Sequence, residues 1–359
     1  MAEIPETLRA GKHPTHVSDE PDYKAAADEA QPGLEKMRPA LKKAPGEVFM
    51  KVFARFAGIA IAALALTIFA GQNEESIVVK KPFDQHKPAG SGNVQILYHG
   101  GKILTASVPI YVIYYGGIGS FPSTTQPIVN GFLAGLGGTP QFDVNTTYCN
   151  VNTTTCPGGG TSVSGALSYD PSHIYFDSGS QGNTLHSGDV PKIVESALTS
   201  PGHLPTDDAA IYLLITAPTT SVSGFCTRYC AYHTKSTTIV SGHTIHYALA
   251  PEPNSKCTVC DGNFALGESK TPNGDPGADE IVDSLIHEIS ETVTDPDLNA
   301  WYAPSGAENG DLCNYVYGTA TFPSPTTGAT ANASWGGYSY LIQLIWKNGP
   351  LPQGCAPTP

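Results

Sequence analysis

Charge is what this sequence has least of. Only 14% of its 359 residues are Asp, Glu, Lys or Arg, and 32 acidic against 19 basic side chains leave a net charge of −13. Residues 1–70 hold nine of each sign, so the imbalance belongs to residues 71–359, where ten Lys and Arg remain. A domain so poor in basic side chains has no stripe with which to neutralise phosphates, which excludes nucleic acid as a partner and makes cations the natural ligands. Nucleophile motifs are missing too: Gly179-Ser180-Gln181-Gly182 and Gly160 to Gly165 both miss the Gly-x-Ser-x-Gly spacing. After Gly116-Gly117-Ile118-Gly119 there is neither GxGxxG nor a Lys-Ser/Thr pair, so these glycines read as a turn and not a phosphate loop. Cysteine is absent from the first 148 residues, and no apolar run reaches the ~20 residues that cross a bilayer comfortably.

What the sequence does have in quantity is glycine and proline, 38 and 30 residues. That is the composition of a loop-rich, β-containing exported protein, and the length allows one large domain with a substantial core. Residues 1–49 are polar with no sustained apolar period and read as a disordered extension. Met50 to Arg55 is basic, and Phe56 to Ala70 follows as fifteen uncharged residues, a length of roughly 22 Å as a helix. Residues 50–70 therefore read as a signal peptide cut after Ala70. Ile68 stands where a small residue is preferred before the cut, which keeps an uncleaved type II anchor as the alternative. Only in that case is a membrane a partner. Residues 71–91 read as a linker and 92–359 as the extracellular domain.

All eight cysteines follow the signal, as a disulfide set requires: Cys149, Cys156, Cys226, Cys230, Cys257, Cys260, Cys313 and Cys355. Cys149 with Cys156 and Cys313 with Cys355 are the expected local pairs. The central four pair within or between their motifs, or, in a cytosolic protein, make a four-thiolate zinc site. Asn145, Asn152 and Asn332 each begin a glycosylation sequon, which would place those loops on the surface.

Val94 to Tyr98, Val108 to Tyr115, Ile174 to Phe176, Ala210 to Ala217, His243 to Leu249 and Tyr338 to Trp346 have strand character. Thr125 to Leu136 reads as a helix, as does a stretch capped by Ser187 and running through Val190, Ile193, Val194 and Leu198. The elements alternate too irregularly for a doubly wound sheet. An α+β domain follows, a single disulfide-stapled unit with a central sheet and a packed helix that carries the richest motif.

That helix is Ala278 to Val293. Asp275 is its N-cap, Pro276 its first position, and Asp279 and Glu280 favour its positive end; Thr294-Asp295-Pro296 ends it. Ile281, Val282, Leu285, Ile286, Ile289 and Val293 share one stripe, and His287, Glu288 and Glu291 fall opposite. Two readings of the polar face compete. The plainer is a solvated face. In the other, the i and i+4 spacing of His287 and Glu291 places two metal ligands side by side with Glu288 as general base, as His-Glu-x-x-His does for zinc, Glu291 standing in for the second His. Downstream, Glu308 and Asp311 are similar to the third ligand and orienting Asp of gluzincin-type peptidases, although no Asn precedes Glu308 and the spacing between the two is three and not four.

A wider resemblance rests on an ordered set of motifs: Tyr98-His99-Gly100-Gly101 with Leu104-Thr105, Tyr111 to Gly116, Gly224-Phe225-Cys226 with Cys230 and His233, Cys257 with Cys260, Pro272-Asn273-Gly274-Asp275, and Thr292-Val293-Thr294-Asp295-Pro296. Over residues 94–355 the chain resembles the phosphate-induced protein 1, or EXORDIUM-like, family. The resemblance implies an extracellular protein associated in plants with the cell wall and growth responses, in a family without an established reaction. Plant members often lack the His-Glu pair in the corresponding helix. Two functions follow as expectations. One is a secreted, zincin-like zinc hydrolase in which His287, Glu291 and Glu308 hold zinc and Glu288 is the base for cleaving peptides. The other is a non-catalytic structural or growth-signalling protein. An extracellular peptide or a cell-wall component is the expected partner.

Overall fold

β-branched and aromatic residues crowd two stretches, and both become strands at the middle of one sheet. The computed structural model describes residues 77–83, 94–253 and 257–359, all within the Glu75–Pro359 unit. The extension read over residues 1–49 and the signal or anchor over 50–70 lie outside the described residues. The sheet comprises Val78–Lys80 (β1), Val108–Tyr115 (β2), Leu167–Asp177 (β3), Ile211–Thr216 (β4), Ala231–Ser236 (β5) and Ile245–Pro251 (β6), in the order β1-β5-β6-β4-β2-β3. β3, β2, β4 and β6 run parallel, whereas β5 is antiparallel to β6 and β1 to β5. The protein is thus a mixed α+β domain with a mixed central sheet. β1 lies inside the stretch read as a linker.

Helices cover both faces. Thr125–Leu136 (α1) and Pro276–Thr294 (α3) pack with Ile110, Val112 and Tyr114 of β2, while Val190–Thr199 (α2) packs with Ile113 and Tyr115 on the reverse side. The four parallel strands carry helices on both faces, but β5 and β1 are antiparallel and no helix joins β4 to β6, so the sheet is mixed and not doubly wound, as the irregular alternation suggests. The irregularity comes from the chain inserting antiparallel β5 between β4 and β6. Burial on both faces explains why every residue of β4 is buried and why its sequence shows no alternation. β6 is buried throughout as well, despite an alternating sequence.

Three elements differ from expectation. Val94 to Tyr98 contributes only the Leu97–Tyr98 strand, paired with Trp301–Tyr302. Tyr338 to Trp346 splits into Tyr338–Tyr340 and Ile345–Lys347. Between these two, the Gln343 N–H donates to Asp283 Oδ1 at 2.7 Å and the Leu344 N–H to the Val316 carbonyl at 2.7 Å, so this backbone bonds out of the strand. Ser187 opens a 3-10 turn and not the α-helix itself. Asp189 Oδ2 accepts the His186 N–H at 3.0 Å, and α2 starts at Val190.

All eight cysteines are in disulfides: Cys149–Cys156, Cys313–Cys355, Cys226–Cys257 and Cys230–Cys260. The central four pair between their motifs, which removes the four-thiolate zinc reading. The Asn145 sequon is not on the surface: its side chain is fully buried and donates to the Phe142 carbonyl and to Ser290 Oγ. Among the described residues, no helix is long and apolar enough to cross a membrane.

Candidate metal centre

α3 begins where local chemistry requires. Asp275 Oδ1 accepts the Ala278 N–H at 3.2 Å, and Pro276 occupies the first turn, where its missing N–H costs nothing. At the other end Asp295 Oδ1 accepts the N–H groups of Asn299 and Ala300 at 2.6 and 2.7 Å. The stripe from Ile281 to Val293 is buried as expected, but so is every residue from Gly277 to Thr294. The solvated reading of the polar face is therefore overturned. That face meets β5, the turn around Glu308 to Asp311, and Gln343.

The contacts are specific. His233 projects from the centre of β5, with Nδ1 3.2 Å from Glu288 Oε2 and 3.3 Å from Glu291 Oε2. On the far side of the ring, Nε2 lies 3.8 Å from Glu308 Oε2. One helical turn along α3, His287 Nε2 is 3.1 Å from Glu291 Oε1 and 3.9 Å from Asp311 Oδ1. His287 Nδ1 is 3.0 Å from Gln343 Oε1, and Gln343 donates through Nε2 to the Gly310 carbonyl at 2.8 Å. The Asp311 N–H donates to Glu291 Oε1 at 2.9 Å. Gly310 makes this approach feasible, because a Cβ there would stand 2.9 Å from Glu291 Oε1 and 3.0 Å from the His287 ring.

Gathering carboxylates and imidazoles away from water forces opposite shifts. Burial disfavours charge on His233, yet Glu308, Glu288 and Glu291 outweigh it and hold the ring well above its ordinary range. His287 is likewise pushed up, to about 9, by Glu291, with Glu288 and Asp311 adding, against the opposing effect of burial. Glu291 falls to about 2, because His287 and His233 overcome its desolvation. Burial raises Glu288 and carries Glu308 well above the carboxylate range. Burial and the charge of Glu291 lift Asp311 to about 7.

Of the residues singled out in the sequence, the structure brings His287 and Glu291 together, with Asp311 as their third neighbour. Glu308 and Glu288 lie on the His233 side instead. His233 and Gln343 are the participants that sequence reasoning passed over as site residues. His233 sits in the polar strand Ala231–Ser236, and its only local signal is its place three residues after Cys230. Five atoms of the cluster are buried without a hydrogen-bond partner: His233 Nε2, His287 Nε2, Glu288 Oε1, Glu291 Oε2 and Glu308 Oε2. A cluster of this composition can hold a proton inventory or divalent cations.

The mixed sheet and the between-motif disulfides define a disulfide-stapled α+β domain with a buried histidine–carboxylate cluster. The phosphate-induced protein 1 conserved region matches residues 96–355, and the chain belongs to that family. It is 30% identical over 293 residues to Protein EXORDIUM-like 3 of Arabidopsis thaliana, covering 74% of this chain and 85% of that protein. It is 29% identical over 285 residues to Protein EXORDIUM-like 5 of the same plant, covering 72% and 77%. No solved structure matches.

Proposed function

We propose that the chain is a non-catalytic extracellular protein that acts in the cell wall or in growth signalling through binding. The observation that carries this reading is the pairing of all eight cysteines into four disulfides, a state sustained in oxidising compartments. Membership of a family whose plant members are extracellular supports the location. Against the zinc-hydrolase alternative stands the enclosure of its residues. A zinc peptidase keeps one ligand position open to water and substrate, with the general base beside it. His287, Glu288 and Glu291 have no solvent exposure and Glu308 only 2%. The Glu288 carboxylate points at His233.

Expression of the full chain in a secreting eukaryotic host, with terminal mass spectrometry of the medium, tests the location. Secreted chain should begin near Gly71 and carry no free thiol. Incubation of the same material, supplied with zinc, with a peptide library should leave the library intact. Cell-retained chain would remove the extracellular part, and peptide cleavage abolished by Glu288→Gln would restore the hydrolase.

A further inference from the structure

We propose that the buried cluster is a two-cation site in which Glu291 bridges two divalent transition-metal ions, one held with His233 and Glu288 and the other with His287 and Asp311. The proposal concerns this cluster's own chemistry and does not depend on where the protein acts.

The first argument is the way Glu291 is presented. Its two oxygens face different partners: Oε2 is directed to His233 Nδ1 at 3.3 Å, Oε1 to His287 Nε2 at 3.1 Å. Around each oxygen one imidazole nitrogen and one further carboxylate oxygen gather, and within each set the three atoms lie within 4.8 Å of one another. An ion bonded at about 2.0–2.2 Å to nitrogen and oxygen fits such a set with small side-chain adjustments. The two sets share Glu291 and nothing else, which is the arrangement of a bridging carboxylate.

The second argument comes from proton positions. Gln343 Nε2 donates to the Gly310 carbonyl, which orients the amide and leaves Oε1 facing His287. Oε1 can only accept, so His287 Nδ1 carries the proton. In the neutral ring the lone pair of Nε2 then points at two carboxylates, an arrangement that requires a cation between them or a second proton on the ring. A ligating histidine whose other nitrogen donates to a fixed acceptor is the usual support for a metal. On the other ring, His233 Nδ1 faces Glu288 and Glu291 at 3.2 and 3.3 Å, while Nε2 is buried without a hydrogen-bond partner, 3.8 Å from Glu308 Oε2.

Charge supplies the third argument. Ionised together, Glu288, Glu291, Glu308 and Asp311 would bring four negative charges into one buried site, and two divalent ions would neutralise them while both imidazoles stay uncharged. Imidazole with carboxylate suits zinc or manganese; soft thiolates are excluded because every cysteine is in a disulfide. The ions would then tie β5, α3 and the 308–311 turn together. That role matches the enclosure.

The test uses the full chain, stripped with a chelator under non-reducing conditions, reloaded with zinc or manganese chloride, desalted, and assayed for metal by mass spectrometry and for thermal unfolding. We expect two ions per chain with at least one of these metals, and an unfolding midpoint that rises on loading. Asp311→Asn, which touches only one set, should retain one ion, and Glu291→Ala should retain none. One ion or none in the unaltered protein with both metals overturns the proposal, and this arm decides the matter even if a variant fails to fold. Two ions retained by a folded Glu291→Ala variant would remove the bridge.

Discussion

Lys80 Nζ lies 2.6 Å from Asp283 Oδ2, and neither side chain reaches solvent. The pair joins the edge strand β1 to the middle of α3. Asp283 also accepts from Tyr317 Oη at 3.2 Å and from the Gln343 N–H at 2.7 Å, while the Lys80 ammonium sits 5.3 Å from the centre of the Tyr315 ring. Removing the ammonium leaves a buried carboxylate with neutral donors only. Lys80→Met should therefore lower the unfolding free energy by about 3–5 kcal/mol, read from urea melts. A loss below about 1 kcal/mol would place the pair with solvated ones.

The disulfides differ in the length of chain they close. Cys313–Cys355 spans 42 residues and Cys149–Cys156 only 7. If constraint of the unfolded chain dominates, replacing the first pair by alanine should cost about 4 kcal/mol and the second about 2.5 kcal/mol. Equilibrium unfolding of the two double variants compares them directly. The reverse order would mean that native packing around Cys149 outweighs loop length.

Stability should fall between about pH 4.5 and pH 8 through Glu252. Burial, then the nearby Asp275 carboxylate, raises its pKa from 4.5 to about 8, against a 3.2 Å hydrogen bond from Thr125 Oγ1. The folded state holds this proton where the unfolded chain has released it, so the contribution is full below the unfolded pKa and is lost as pH rises through the folded one. Glu252→Gln should flatten that part of the profile and leave the variant a few kcal/mol more stable relative to the parent at pH 8 than at pH 4. Parallel pH profiles for parent and variant would rule this out.

Glycan occupancy should separate the three sequons. Asn152 is exposed, Asn145 is fully buried, and Asn332 Nδ2 donates to the Tyr317 and Ile342 carbonyls at 3.1 and 2.7 Å. A glycan on either of the last two would displace those hydrogen bonds. Glycopeptide mass spectrometry of folded, secreted chain should find Asn152 modified and the other two bare. Stoichiometric occupancy at Asn145 would contradict the packing around Ser290.

What the sequence determined by itself was local. Asp275 and Pro276 start α3, Pro296 helps to end it, and a 3.6-residue period puts His287, Glu288 and Glu291 on one face, because capping and helical geometry act within a few residues. The same holds for Val108–Tyr115 and Thr125–Leu136, whose bounds were legible from their apolar patterns. What that polar face meets was decided elsewhere. The pairing of β5 with β6 carries His233 to it, Gly310 lets the Glu308–Asp311 turn close on it, and Gln343 arrives from near the C-terminus. The cysteines show the same division. Eight paired cysteines could be read from the chain, but Cys226 with Cys257 and Cys230 with Cys260 follow from which loops the sheet brings within 6 Å. Side-chain patterns record whether a segment buries a face; only the packing of distant segments decides which groups lie on the other side of it.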